Sequence, residues 1–382
     1  MQSGPKKNDD TIYLGYDTGE SLIPQNTFTY KGFRGEPTTN HIPNTSNPSL
    51  STDNWPGYGW SGGWAINTDV NAFELTSLNG WHNHTYNHGQ SSGTIFVSFD
   101  YKLKYQETSG IWGFVINGTH LGSYQNWIGS LNSTNNNLPS LTEWQTFTGS
   151  YTGNSDTKVG IGLRGNDSQG LSDTMYIKNL QVETKSHRTP YTLTSRSNTN
   201  TLIDIAGSEE LDLSNMTFNS NAQMDFDGTN DWIEITSTTL GNGFWTIEMV
   251  AYPGNLSNYN MLSNSSGGPV SNAFGISSSK IHYRNYDGAW QSHSGNTTLS
   301  TNTYYHLVWV NKNNSMIMYV NGESDSSSFA SDTSNGGPVN AIGRNWFSYF
   351  DGRIPIFKYY KKSLSPEQIR NNYEKLRDRF GI

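Results

Sequence analysis

The chain has 382 residues, a formal net charge of −8 and no cysteine, so disulfides and thiolate metal sites are excluded. With 24 Lys+Arg against 32 Asp+Glu and no basic run, the electrostatic footprint of a nucleic-acid-binding protein is missing. No stretch approaches the roughly 20 apolar residues of a membrane-spanning helix, so neither nucleic acid nor membrane insertion is expected. Only 33% of residues are hydrophobic and 15% charged, yet aromatics reach 13% and glycines number 39. That balance suits all-β domains with short strands and many turns.

Residues 1–45 are rich in Pro, Gly and Asn and are predicted to be an extended N-terminal arm or linker. Their start, MQSGPKKNDDTIYLGYD, has no apolar core or cleavage site, so no secretory signal is expected. From 46 to 187 a β pattern takes over. TIFVSFDYKLKY (94–105) places Ile95, Val97, Phe99, Tyr101 and Leu103 on one face, and IWGFVING ends in the hairpin signal Asn117-Gly118. WQTFTGSYT, KVGIGLRG and TMYIKNLQVE supply further strands, and together they predict a β-sandwich. A polar stretch at 188–200 reads as an interdomain linker. The β pattern returns over 201–382 in QMDFDG, DWIEIT, FWTIEMVAYP, KIHYRN, YYHLVWVNK, SMIMYVNGE and GRIPIFKYY. One helix is predicted at 365–380. Ser365 suits the N-cap, Pro366 the first turn and Gln368 a capping box, while Ile369, Tyr373, Leu376 and Phe380 make one apolar stripe. That stripe should lie against the second sandwich or a partner subunit. The fold class is therefore all-β, with two tandem antiparallel jelly-roll sandwiches, an N-terminal arm and one short C-terminal helix.

Several residue groups could bind something. NWPGYGWSGGW gathers Trp55, Tyr58, Trp60 and Trp64 in a glycine-rich loop, and aromatic faces stack on the apolar C–H face of sugars; rings among glycines also simply fill the end of a sandwich. Tyr286, Trp290 and Trp346 in the second half carry the same two readings. WHNHTYNH holds His82, His84 and His88; His82 and His84, two apart on a strand, share a face and could share a metal, or bond locally in a polar loop. Asp227, Asn230 and Asp231 in D-G-T-N-D offer the oxygen atoms of a calcium loop and equally the residues of tight turns. "FDG" itself occurs twice, at 226–228 and 350–352.

In order, FDGTNDWIEI, FWTIEMVAYP, YYHLVWVNKNNSMIMYVNGE and IGRNWFSYFDGRIPIFKYYKKSLSPEQIRNNY resemble the successive strands of the laminin-G-like, concanavalin-like jelly-roll family. The resemblance covers about 200–382 and departs at Ala251, where the family favours Trp, and at Pro355, which interrupts the last strand and suits an edge or bulge. It implies that first and last strands pair, which would make the FDG doublet the closing seam of a sandwich. The first sandwich more loosely resembles carbohydrate-binding modules, with Asn179 where a calcium-ligating Asp often stands. EPTTNHIPNT, QVETKSHRTPYT and TLIDIAGSEELDLSNMTFNSNAQMDFDG follow one another as in structural proteins of marine bacteriophages. That likeness implies a virion protein of the tail-fibre or capsid-fibre class, assembled in a host cytoplasm and released by lysis. Its partners would be other virion proteins and host surface polysaccharide, and it would form a homo-oligomer, a trimer being favoured. A capsid decoration or fibre-attachment protein is the alternative; a lectin-like module of a secreted protein is a further one. Glycosidases of similar architecture set carboxylates at alternate positions of one strand, as E-x-D-x-E. No such run exists here. Asp231 and Glu234 fall on opposite strand faces, so no catalytic residue is expected and no cofactor is required. Calcium is the one ion the D-G-T-N-D cluster would suit.

Overall fold

The computed structural model describes residues 12–18, 20, 36–41, 61–67, 69, 72–87, 89–90, 92–105, 111–116, 127–132, 142–154, 158–165, 173–192, 195–198, 201–203, 210–257, 260–264, 272–286, 289–331 and 338–382. The chain folds into two compact units. One comprises Met1–Glu36 with Ser197–Ile382, and the other Pro37–Arg196. The second unit is thus inserted into the first in chain order. This differs from the sequence expectation for residues 1–45, because the described part of the arm includes a strand, β1 (Ile12–Asp17). IYLGYD alternates, and Ile12, Leu14 and Tyr16 are all buried.

The inserted unit contains β2 (Thr38–Thr39), β3 (Ser61–Asn67), β4 (Ala72–Asn87), β5 (Ser92–Tyr105) and β6 (Ile111–Ile116). It continues with β7 (Trp127–Asn132), β8 (Gln145–Asn154), β9 (Lys158–Gly165), β10 (Asp173–Glu183) and β11 (Ser195–Arg196). Eight of these form one sheet, ordered β7-β6-β9-β4-β10-β5-β8 with β3 beside β4. The long β4 pairs with β3 and β10 through its first half and with β9 through its second. As alternation required, Ile95, Val97, Phe99 and Tyr101 are buried.

The motifs that straddle this unit meet in space. β2 pairs with β11, joining chain entry to chain exit. Thr38 Oγ1 donates to the buried Glu183 carboxylate at 2.7 Å, and Thr189 donates to it from backbone and side chain. The Asn40 side chain donates to Leu180 O and Thr192 O and accepts from Val182 N. Arg196 donates to Pro190 O and Thr189 Oγ1. Thr189, Pro190, Thr192 and Arg196, expected to be linker, therefore belong to a buried polar clasp.

The discontinuous unit continues with β12 (Leu202–Ile203), β13 (Glu210–Leu211), β14 (Thr217–Phe218), β15 (Met224–Asp227) and β16 (Ile233–Thr238). Next come β17 (Phe244–Pro253), β18 (Leu262–Ser263), β19 (Ala273–Ser277), β20 (Lys280–Tyr286) and β21 (Trp290–Ser294). The last strands are β22 (Tyr305–Lys312), β23 (Ser315–Val320), β24 (Glu323–Ser324), β25 (Phe329–Ala330), β26 (Val339–Ile342) and β27 (Asp351–Tyr360), followed by α1 (Pro366–Phe380). A nine-stranded sheet runs β14-β15-β27-β17-β22-β23-β24, with β1 on β27 and β25 on β23; a six-stranded sheet runs β16-β26-β18-β19-β20-β21. Inward residues of both, among them Trp245, Trp309, Phe274, Tyr283, Phe226 and Phe357, form one core. The buried indoles keep their polar ends satisfied: Trp309 Nε1 donates to His282 O and Trp245 Nε1 to Gly241 O. Among the described residues this is the all-β sandwich with a single C-terminal helix that the pattern predicted.

First and last strands do pair: Phe226 faces Gly352 and Asp227 faces Asp351. Gly352 has φ +131°, and a Cβ there would meet Tyr252 O at 2.1 Å. The two departures from the family pattern also meet. Between Val250↔Ile356 and Tyr252↔Arg353 the register shifts by one residue, so β27 bulges at Ile354–Pro355 opposite Ala251. A residue without an N–H fits a bulge, and Pro355 O accepts from Thr18 N just beyond β1.

Helix α1 covers the outer face of the nine-stranded sheet. Ile369 packs among Ile12, Val308, Val310, Tyr319 and Tyr360, and Leu376 and Phe380 pack with Val250, Tyr304 and Ile356. Its capping box forms as predicted, and Gly381 closes it in the left-handed conformation. The N-terminal segment is tied to the same helix: Arg379 donates twice to Asp17, at 2.7 and 2.5 Å, and its Nε donates to Glu20 O. No helix among the described residues is long and apolar enough to cross a membrane.

Candidate functional site

The outer face of the six-stranded sheet is set by alternation along β20. Ile281 and Tyr283 point into the core, so Lys280, His282, Arg284 and Tyr286 point the other way. β21 pairs with β20 so that Trp290 stands opposite Tyr286, Ser292 opposite Arg284 and Ser294 opposite His282. Tyr286 and Trp290 rings meet edge-on, with centroids 5.2 Å apart, and the Arg284 guanidinium lies 3.8 Å from the Trp290 ring centroid. Trp290 remains 42% exposed. The result is an aromatic surface braced by a cation, a geometry that can stack a sugar and hydrogen-bond its substituents. His282 donates to or accepts from Ser294 Oγ at 3.0 Å. Burial, then the neighbouring Arg284 and His293, push its pKa down to about 4, so it stands neutral near pH 7.

Of the aromatic residues singled out in the sequence, Tyr286 and Trp290 come together and Trp346 does not join them. β26 and β19 flank β18 and run in the same sense, so Trp346, following β26, lies at the opposite end of this sheet from Tyr286 and Trp290. There its ring meets that of Phe347 at a tilt, centroids 4.3 Å apart, and the two are 54% and 75% exposed. Their loop is closed by Asn345, whose Oδ1 accepts from Phe347 N, Ser348 N and Ser348 Oγ. Arg344 sits beside the Trp232 and Tyr349 rings at 5.0 and 5.3 Å. Arg284 and Phe347 escaped sequence reading. Arg284 was findable, because R-N-Y puts it two residues before Tyr286 and hence on the same face.

Trp55, Tyr58, Trp60 and His88 lie outside the described residues. Trp64 falls on β3, and His82 and His84 lie on β4 opposite Leu163 and Ile161. In the inserted unit the ammonium groups of Lys102 and Lys178 stand 5.2 and 3.8 Å from the Trp144 ring centroid. Asn179 takes a left-handed φ of 54° and donates to Asp100, which also accepts from Thr146 and Arg188.

At the FDG seam the acidic oxygens serve the backbone. Asp227 Oδ1 accepts from Thr229 N and Asn230 N, an Asx turn. Desolvation pushes its pKa up, but these N–H donors prevail and hold it below the usual carboxylate range. Asp231 is buried and accepts from Thr217 N, Thr217 Oγ1 and Asp227 N. Burial pushes its pKa up, as it does for Asp225, which also faces Asp351, Asp231 and Asp227. Among the described residues no group of three or more His, Asp or Glu is arranged to hold a metal ion.

Residues 227–370 match the sequence model of the Concanavalin A-like lectin/glucanases superfamily. No curated protein matches the chain. Among solved structures it is similar to domain 4 of an extracellular arabinanase from Geobacillus stearothermophilus in complex with arabinotriose, at 16% identity over 39% of this chain and 74% of that one, TM-score 0.33. It is also similar to a heptameric SAP-like pentraxin from Limulus polyphemus (14% identity, 38% and 78% of the chains, TM-score 0.32). A Trypanosoma rangeli sialidase in complex with sialic acid shows 13% identity over 54% and 41% of the chains, TM-score 0.36. Likenesses of this size carry no functional weight.

Proposed function

We propose that the protein is a non-enzymatic adhesion protein that binds surface polysaccharide through its concanavalin-like sandwich, at Tyr286, Trp290 and Arg284. The observation that carries this reading is the exposed Trp290 ring held between the Arg284 guanidinium at 3.8 Å and Tyr286 at 5.2 Å. Strands β19, β20 and β21 contain no Asp or Glu, so none of them carries the alternating carboxylates of a glycosidase strand. We place the protein in a bacteriophage virion, in the tail-fibre or capsid-fibre class and as a homo-oligomer. Support comes from the ordered likeness of EPTTNHIPNT, QVETKSHRTPYT and the following sandwich to phage structural proteins. The host surface glycan and neighbouring virion proteins are its partners. A glycan array probed with the whole chain and with Trp290→Ala tests the binding. Binding that the variant loses supports it, and an array without hits counts against it.

One observation favours the second reading, a capsid decoration or fibre-attachment protein. Trp346 and Phe347 form a rigidly held, exposed aromatic pair of the kind that anchors protein interfaces. Loss of the protein from assembled particles on Phe347→Ser, with glycan binding intact, would mark that surface as the virion contact.

A further inference from the structure

We propose that the loop from Arg344 to Tyr349 docks an extended segment of a partner protein, one that presents a carboxylate within two residues of an apolar side chain. The inference rests on the second reading above, the aromatic contact to another protein, and names that partner's chemistry. The bridge between Arg344 and Tyr349 and the bond from Asn345 N to Ser348 O fold the loop into a tight turn. Trp346 and Phe347 form its tip, and both rings stay largely exposed. Rings fixed by such a turn lose little freedom on binding, which suits them to anchor an interface. At the root of the turn the Arg344 guanidinium stands 5.0 Å from the Trp232 ring centroid and 5.3 Å from that of Tyr349. Its Nε is buried without a hydrogen-bond acceptor. Among the described residues no Asp or Glu forms an ion pair with it. A cation drawn partly out of water between rings, with no counter-ion, is completed by an anion from outside. The planar fork of a guanidinium matches a carboxylate in two parallel bonds.

The loop's own polar side chains are occupied within it. Asn345 Oδ1 accepts from Phe347 N, Ser348 N and Ser348 Oγ, and Asn260 Nδ2 donates to the same hydroxyl at 3.4 Å. The surface left over is rings and one cation, with few of the polar groups that orient a saccharide. Aromatic residues and Arg are the types enriched where proteins meet. Root and tip lie two residues apart, at most about 7 Å of backbone, which is the spacing of side chains i and i+2 on one face of an extended segment.

The test selects binders from a displayed library of random short peptides against the whole chain and titrates the selected peptides. They should carry Asp or Glu within two residues of Leu, Phe or Trp. Replacing that acid by its amide, or Arg344→Gln in the chain, should weaken binding about tenfold or more, and Phe347→Ser should abolish it. Arg344→Lys should restore part of the loss. Titrations of the unaltered chain at about 0.1 M and about 1 M salt keep the test valid should Arg344→Gln fold poorly, because salt should weaken the acidic peptides and spare their amide forms. Acid-free apolar peptides that are lost in Phe347→Ser and indifferent to Arg344→Gln would overturn the acidic partner and leave the aromatic contact standing. A library without binders would remove both. The same chain is passed over the glycan array and over phosphatidylserine–phosphatidylcholine vesicles. Binding to either that Phe347→Ser removes would overturn the protein partner in favour of that ligand.

Discussion

Glu248 and His306 sit side by side on β17 and β22, fully buried beneath α1, with His306 Nε2 2.9 Å from Glu248 Oε1. Tyr360 Oη and Asn372 Nδ2 donate to the other carboxylate oxygen. Burial alone would raise this carboxyl, but Lys358, His306 and Tyr360 prevail and hold its pKa down to about 2. A carboxyl depressed by folding stabilises above its ordinary pKa of 4.5, and that contribution is lost as pH falls towards 2. A depression of this size is worth on the order of 3 kcal/mol. Denaturant melts from pH 6 to pH 2 should show the loss, and Glu248→Gln should flatten it while lowering stability at neutral pH. A backbone prediction belongs to the same scale. Gly352→Ala forces a side chain into φ +131° and against Tyr252 O. It should cost at least about 3 kcal/mol by chemical denaturation.

Among the elements, β1 shows most clearly what the sequence could convey. IYLGYD is six residues of alternating pattern inside a polar, proline-rich stretch, and nothing local says that its partner lies some 340 residues away on β27. The pairing is a long-range property, so sequence reading made it an arm. The later strands were legible because each carries its own period of two and its own turn, such as Asn321-Gly322, and α1 because its cap is written in neighbouring residues. The site was half legible. Trp290 and Tyr286 stand out as aromatics and alternation puts Arg284 on the face of Tyr286, but that Trp290 stands beside them comes only from the β20–β21 register. Removing residues 1–20 would expose the β27 edge and leave Arg379 and Arg353 without Asp17 and Glu20. The truncated chain should melt well below the full one, and breaking the partly buried Arg379–Asp17 pair alone by Asp17→Ala should cost about 1.5 kcal/mol or more.

For the whole molecule, Pro37–Arg196 is inserted into the other unit in chain order, with P-T-T-N at its start and Q-V-E…T-P-Y near its end. P-T-T-N and Q-V-E…T-P-Y are the two halves of one clasp, in which Thr38, Asn40, Glu183, Thr189 and Arg196 bind entry to exit. Residues 37–196 should therefore fold when expressed alone, with one cooperative transition, and Glu183→Ala should abolish that transition by leaving its partners unpaired. The adhesion role is tested most directly by isothermal titration of the full chain with a glycan selected on the array, side by side with Trp290→Ala. Saturable binding to the unaltered chain, weakened at least about tenfold in the variant at unchanged thermal stability, is the expected result. Equal affinity in the two proteins would contradict the site.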